Sequence, residues 1–453
     1  MLSDHPLLAV ISAVGLLLGL ILWLRWQAFV ALLVSSLVFA VLVGMKLDSI
    51  PATVVDGMGK SLGLVAVLVG LGAIFGAMLE HTGGARALAK GMVDVTGPKG
   101  APWALMVAGF LISIPVFLDV ALVILCPLLF AMARSQQKPV LYFGLPLLAG
   151  LAVTHSFVPP TPGPIIVAEY LGVSLGPVIL VGVICGLPGA ILAGPLFAKW
   201  IVPRLNLEVP ARIEEEEEMP VDRSMAWTTL GLILAPIVLI LLASLVDLQV
   251  GSEVIKTEGR SPGHALLSFL GHPIVALLLS TLASMGVMKF RFKAGRAELQ
   301  ELATKSLGPA GIIILVTGAG GVFKQVLVDS GAGSKLALGM QVLPVGTLML
   351  AWLLTTVVRV SQGSATVAMI AGASLMAPLV ETMELGPMKL ALLVAAIAAG
   401  ATNASHVNDS GFWMISRYLN LTEEQTLKSW TVAVTIISVV GLAMAMLLWN
   451  VVD

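Results

Sequence analysis

The feature that most constrains this chain is its succession of long, uncharged apolar runs. No residue from Pro6 to Leu24 carries a charge, and comparable runs recur near 28–45, 62–80, 174–200, 225–246, 265–288, 308–328 and 429–450. A bilayer core offers no water to backbone N–H and C=O groups, so runs of about 20 apolar residues satisfy themselves as spanning helices. The composition agrees: 58% of the 453 residues are hydrophobic and only 11% charged, with a mean hydropathy of +1.01. Soluble domains carry about a quarter charged residues, which excludes a soluble globular reading. The net charge of -1 offers no basic surface to nucleic acid. Cys126 and Cys185 both lie in apolar runs and read as core residues, and no cysteine or histidine cluster suggests a metal or a cofactor. The opening MLSDHPLLAV lacks the basic region and cleavage site of a secretory signal, so the first run is expected to stay as a span.

Four interruptions break this apolar pattern. After the run Leu390–Ala399, the stretch GATNASHVNDSGFW (400–413) gathers Thr402, Asn403, Ser405, His406, Asn408, Asp409 and Ser410. Polar groups at that density are costly in lipid and are tolerated mainly where they line a cavity or pathway. The expected span 388–418 is therefore broken, as is 140–172 by THSFVPPTPGP (154–164). The segment 102–133 is divided by SIPVFLD (113–119) into arms too short to cross, and 341–381 is divided at SQGSATV (361–367). Both are expected to be re-entrant hairpins.

The same order occurs twice. GLGAIFGAMLEHTGGARALAKG (70–91) aligns with GAGGVFKQVLVDSGAGSKLALG (318–339). At the same offset Thr154, Gly163, Tyr170 and Leu171 align with Thr402, Gly411, Tyr418 and Leu419. The expected organisation is a first repeat 1–202, an acidic cytoplasmic linker 203–224 carrying Glu214 to Glu218, and a second repeat 225–453. Together these hold about ten full spans and two hairpins, or 12–14 apolar segments, and an odd number of crossings per repeat makes the copies inverted. Basic residues gather on one side, with Lys289, Arg291, Lys293, Arg296, Arg86, Lys90, Arg134, Lys199 and Lys305 expected in the cytoplasm. Lys46, Lys60, Lys256, Arg260, Lys335 and Lys389 remain on the other side, where both termini are expected. The glycines of GLGAIFG and GAGG have no following Lys-Ser/Thr and read as close helix packing rather than phosphate loops.

Broken helices leave N-termini at mid-membrane, and these favour an anion. Thr154, His155, Ser156, Thr161, Ser361, Gln362, Gly363, Ser364, Thr366, Asn403, Ser405, His406, Asn408 and Ser410 offer neutral donors and acceptors suited to a polyhydroxylated ligand. Their structural alternative is back-bonding within helices. Arg359 either holds a substrate carboxylate, reaches the outer interface, or pairs with an acidic neighbour. Asp119 and Asp409 are the first candidates for carrying a proton, with His155 and His406 as alternatives.

At these residues the chain resembles the gluconate permease family, through VTHSFVPPTPGP (153–164), GGVFKQVLVDSG (320–331), GSATVA (363–368), SHVNDSGFW (405–413) and LKSW (427–430). Thr161 stands where similar permeases often have histidine, and Asp119 where they often have glutamate. The resemblance implies a proton-coupled symporter for gluconate or a related sugar acid in the bacterial inner membrane, and no enzyme. It also implies an ion-transporter-superfamily architecture, a homodimer surrounded by membrane lipid, and elevator-like movement. Rival readings are a sodium-coupled organic-acid symporter and a sodium/proton exchanger of the same architecture.

Overall fold

A computed structural model of the chain describes residues 6–22, 24, 26–210, 223–250, 261–330, 346–381 and 383–452. Most of the acidic linker, including Glu214 to Glu218, lies outside the described residues, as do Lys256, Arg260, Lys335 and the expected hairpin start at 341–345. The described residues form helices and connecting turns, and eight helical stretches, three of them made of consecutive helices, are long and apolar enough to cross a membrane.

Two peripheral helices, α1 (Pro6–Leu22) and α2 (Ala28–Leu42), precede the long α3 (Ile50–His81). The Gln27 side chain opens α2 by accepting from the N–H groups of Phe29 and Val30. Helix α3 starts well before the expected 62, because Asp56 and Lys60 in its first turns hid it from a reading based on apolarity. Helix α4 (Gly84–Ile112) was not expected before residue 102. Gly97, at φ 68°, splits it into an amphiphilic part and the arm that approaches SIPVFLD. After a turn at 113–117 the chain continues as α5 (Leu118–Gln136), which at 19 residues is long and apolar enough to cross, unlike the short arm expected from the sequence.

Next come α6 (Leu141–Phe157) and α7 (Pro162–Leu171), separated by Val158–Thr161, so the 140–172 segment breaks where the sequence indicated. Thr154, His155 and Ser156 still belong to the last turn of α6 rather than to the gap. Helix α8 (Leu175–Ile191) runs through a π-turn at Leu192–Leu196 into α9 (Phe197–Ile201).

The second half begins with α10 (Arg223–Val250). The expected single span 265–288 is two helices, α11 (Pro262–Leu270) and α12 (Pro273–Arg291). Gly271 ends the first, and Pro273, preceded by extended His272, starts the second. The residue before a proline is driven out of helical geometry, which accounts for the break. Then follow α13 (Arg296–Asp329), α14 (Thr347–Gln362), α15 (Ala365–Val380), α16 (Pro387–Thr402) and α17 (Ser410–Tyr418). Helix α18 (Glu423–Thr426), opened by a Thr422–Gln425 capping box, passes through a π-turn at Leu427–Thr431 into α19 (Val432–Trp449).

Helices α6 and α16 form the buried centre: every residue of α16 from Ala391 to Thr402 is buried. Around them the chain packs through small residues. A Cβ on Gly57 would stand 2.7 Å from Val322 Cα, so α3 and α13 approach backbone to backbone. A Cβ on Gly76 would stand 2.2 Å from the carbonyl oxygen of Pro115, which brings the 113–117 turn directly onto α3. Gly76 of GLGAIFG and Gly318, Gly320 and Gly321 of GAGG pack closely, as the sequence suggested, whereas Gly70 and Gly72 meet only leucine side chains at 3.7 and 3.9 Å. Cys126 and Cys185 are buried free thiols, and Cys126 Sγ lies 3.3 Å from the Tyr418 carbonyl.

Candidate functional site

A largely buried ion pair joins the end of α14 to the start of α17. Arg359, in the last turn of α14, places Nη2 2.5 Å from Oδ2 of Asp409, with side-chain exposures of 5% and 13%. Of the three fates open to Arg359 in the sequence, the structure shows pairing with an acidic neighbour. Each partner holds an element end. The other guanidinium nitrogen, Nη1, donates to the Gly363 carbonyl and so closes the C-terminus of α14. Asp409 Oδ1 accepts from the Gly411 N–H at 2.9 Å and caps the N-terminus of α17.

Four further hydrogen bonds surround the pair. The Ser405 hydroxyl donates to Asp409 Oδ2 and accepts from Trp430 Nε1 at 2.8 Å, while Thr431 Oγ1 donates to the Ser405 carbonyl at 2.5 Å. Asn408 Nδ2 donates to the Val360 carbonyl at 2.6 Å. Gly363 has φ 75°, and a Cβ there would lie 2.2 Å from the Asn408 carbonyl oxygen, so the 363–364 turn and the 403–409 gap are pressed together. Trp430 and Thr431 were not among the expected site residues. Their signal was the LKSW motif, which carried a resemblance but no role.

The first-half elements face the same place. His155, in the last turn of α6, lines one narrow cavity together with the 113–117 turn. Asp119 sits in the first turn of α5. Gly163 in the first break packs against Met369 of α15, and the 363–364 turn before α15 presses on the 403–409 gap, so the four interruptions are neighbours. Several buried polar atoms there have no hydrogen-bond partner among the described residues: Ser113 Oγ, His155 Nδ1, Arg359 Nε, Gln362 Nε2 and Asn403 Oδ1. Unpaired buried polar atoms cost about 1–3 kcal/mol each, so a cluster of them marks a place built to meet polar groups from outside.

Other expected residues have structural employment. Thr154 Oγ1 donates to the Phe110 carbonyl at 2.7 Å, and Thr161 Oγ1 to that of Val158 at 2.7 Å. Ser361 back-bonds to the Val357 carbonyl at 2.5 Å, and Ser364 caps α15 by accepting from the Val367 N–H at 3.4 Å. His406 Nδ1 lies 2.9 Å from the Ala404 carbonyl. Asn408 and Ser410 are exposed, Thr366 is half-buried, and Ser156 is buried. No group of three His, Cys, Asp or Glu side chains among the described residues is placed to hold a metal ion.

A cavity of about 300 Å³ is lined by Glu80, His81, Lys305 and Ser306 and by the 115–117 turn. It shares Ala73, Pro115, Val116 and Phe117 with a narrower cavity that reaches His155 and Thr161.

A family model described as GntP family permease matches residues 5–452. The chain belongs to the GntP permease family. It is 37% identical over 451 residues to the high-affinity gluconate transporter of Escherichia coli K12, covering 97% of this chain and 98% of that one. It is 38% identical to the low-affinity gluconate transporter of the same strain, covering 97% of each. Among solved structures, the Alcanivorax borkumensis YdaH transporter superposes with a TM-score of 0.64 at 18% identity, covering 94% of this chain and 96% of that one. At that identity the likeness is one of fold. As a GntP permease the chain is read as a membrane transporter.

Proposed function

We propose that this permease takes up gluconate or a closely related sugar acid with a proton across the bacterial inner membrane. The observation that carries the reading is the buried pair of Arg359 and Asp409. A guanidinium is the natural partner of a sugar-acid carboxylate, but here Asp409 already occupies it. Protonation of Asp409 removes that claim, and Arg359 is then free to take the carboxylate of the substrate. Proton and anion thus enter together, because neither the bare guanidinium nor two carboxylates on one guanidinium is tolerated at this burial. Hydroxyls of the substrate meet the unpartnered atoms of His155, Gln362 and Asn403.

The recurrence of α6–α7 as α16–α17, and of the divided 102–133 segment as α14–α15, supports two inverted repeats. Within them the first hairpin enters from the cytoplasm and the second from outside, with both termini outside, and a homodimer with elevator-like motion completes the proposal. The test is uptake of labelled gluconate into proteoliposomes under an imposed inward proton gradient. Accumulation is expected without sodium, and accumulation that follows a sodium gradient at constant pH would overturn proton coupling.

A further inference from the structure

The turn between α4 and α5 carries a polar group that sequence reasoning did not single out. Ser113 is 1% exposed, and its Oγ has no hydrogen-bond partner among the described residues. Its backbone N–H completes the helix by donating to the Gly109 carbonyl, which is where a serine in this position would ordinarily direct its hydroxyl as well. Ser361 stands at the same repeat offset and does so, donating to Val357 at 2.5 Å. Ser113 does not. The residue equivalent to Asn403 by that offset is His155, and Nδ1 of His155 is likewise unpartnered.

Ser113 and His155 line the same narrow cavity, of about 10 Å³. That is room for about one water-sized group. Its remaining wall is apolar or lacks donors: Val69, Ala73, Ile114, Val116 and the ring nitrogens of Pro160 and Pro162 offer no N–H for bonding from a side chain. Thr161 also lines it, but its hydroxyl proton is committed to Val158. No lysine or arginine is present in this lining, so a carboxylate has no counter-charge here. A single hydroxyl fits: it can donate to one of the two side chains and accept from the other.

We propose that Ser113 and His155 form a subsite for one hydroxyl of the sugar acid, distinct from the Arg359 position that takes the carboxylate. The subsite rests on the sugar-acid reading above and makes Ser113 a specificity-determining residue of the permease. It opens toward the wider cavity of Glu80 and Lys305, which shares the wall Pro115–Phe117. Substrate therefore reaches or leaves the hydroxyl subsite from that side.

The experiment is competition against labelled gluconate uptake by analogues each lacking one hydroxyl, in wild-type protein and in Ser113→Ala and Ser113→Cys. Cysteine keeps the shape of serine with a somewhat bulkier, weakly hydrogen-bonding sulfur, so it reports on the hydroxyl even where alanine harms folding. A neutral hydrogen bond contributes about 1 kcal/mol, or roughly fivefold in affinity. Wild type is expected to discriminate against one particular deoxy analogue by that factor. Both variants are expected to lose affinity for gluconate by a similar factor while binding that analogue as wild type does. Equal loss for every analogue, the result expected if the cavity holds only a structural water, overturns the subsite, as does no loss at all. Gluconate uptake by wild type in the same preparation keeps the two readings apart: its absence overturns the sugar-acid carrier, whereas its presence with unselective variants overturns the subsite alone.

Discussion

Replacing Asp409 by asparagine tests the ion pair and the coupling scheme together. Asparagine caps a helix about as well as aspartate, so the bond to the Gly411 N–H survives. What is lost is the charge opposite Arg359, whose side chain is 5% exposed. Removing one partner of a buried pair costs about 3–5 kcal/mol, chiefly because the other charge is left uncompensated. Asp409→Ala loses the same charge and also the cap, a further ~1 kcal/mol. Thermal stability in detergent should therefore fall in the order wild type, Asp409→Asn, Asp409→Ala. Replacing both partners by apolar residues should recover much of the loss, since no charge is then stranded.

Transport separates the effect further. In Asp409→Asn the guanidinium is always open to the carboxylate, so gluconate should stabilise this variant more than it does wild type, and gluconate/gluconate exchange should persist. Accumulation against a gradient should disappear. Wild-type accumulation by Asp409→Asn under the same proton gradient would refute the competition between Asp409 and substrate, and unchanged stability would refute the pairing itself.

Two other substitutions probe the surrounding frame. Gly363→Ala meets both a positive φ of 75° and a contact of 2.2 Å with the Asn408 carbonyl, so uptake should drop below a tenth of wild type, measured as initial rate per folded protein; near-normal rates would show that the turn and the gap are not held together. Trp430→Phe removes the donor to Ser405, a loss of about 1 kcal/mol, and should lower initial uptake several-fold at unchanged expression; an unaltered rate would remove Trp430 from the site.

Much of the architecture was legible because lipid makes polar residues conspicuous. The gap from Asn403 to Asp409 and the turn at Gly363 stand where the apolar pattern fails, and the chain breaks there. Helix α3 was legible only in its apolar part, since Asp56 and Lys60 resemble a loop when neighbours are unknown. The start of α4 was missed for the same reason, and Gly97 gave no sign of dividing it. At the site, residue types were readable but partners were not. Arg359 and Asp409 are remote in sequence, and only the fold excludes an interfacial arginine. Ser361 looked as good a ligand as any other serine until its hydroxyl was found bonded to its own helix. Ser113 was overlooked because one serine between two isoleucines carries no signal in isolation.

The contacts between the 359–363 segment and the 403–409 gap bear on how this permease can move. Backbone at Gly363 touches backbone at Asn408, the Asn408 side chain grips Val360, and the two charges close the joint. A gate that swung one of these segments away from the other would strand Arg359 in the protein interior. In the proposed transport cycle the joint travels as a single knuckle, and the compliance falls to the connections around it, such as the bend at Gly97 and the turn resting on Gly76.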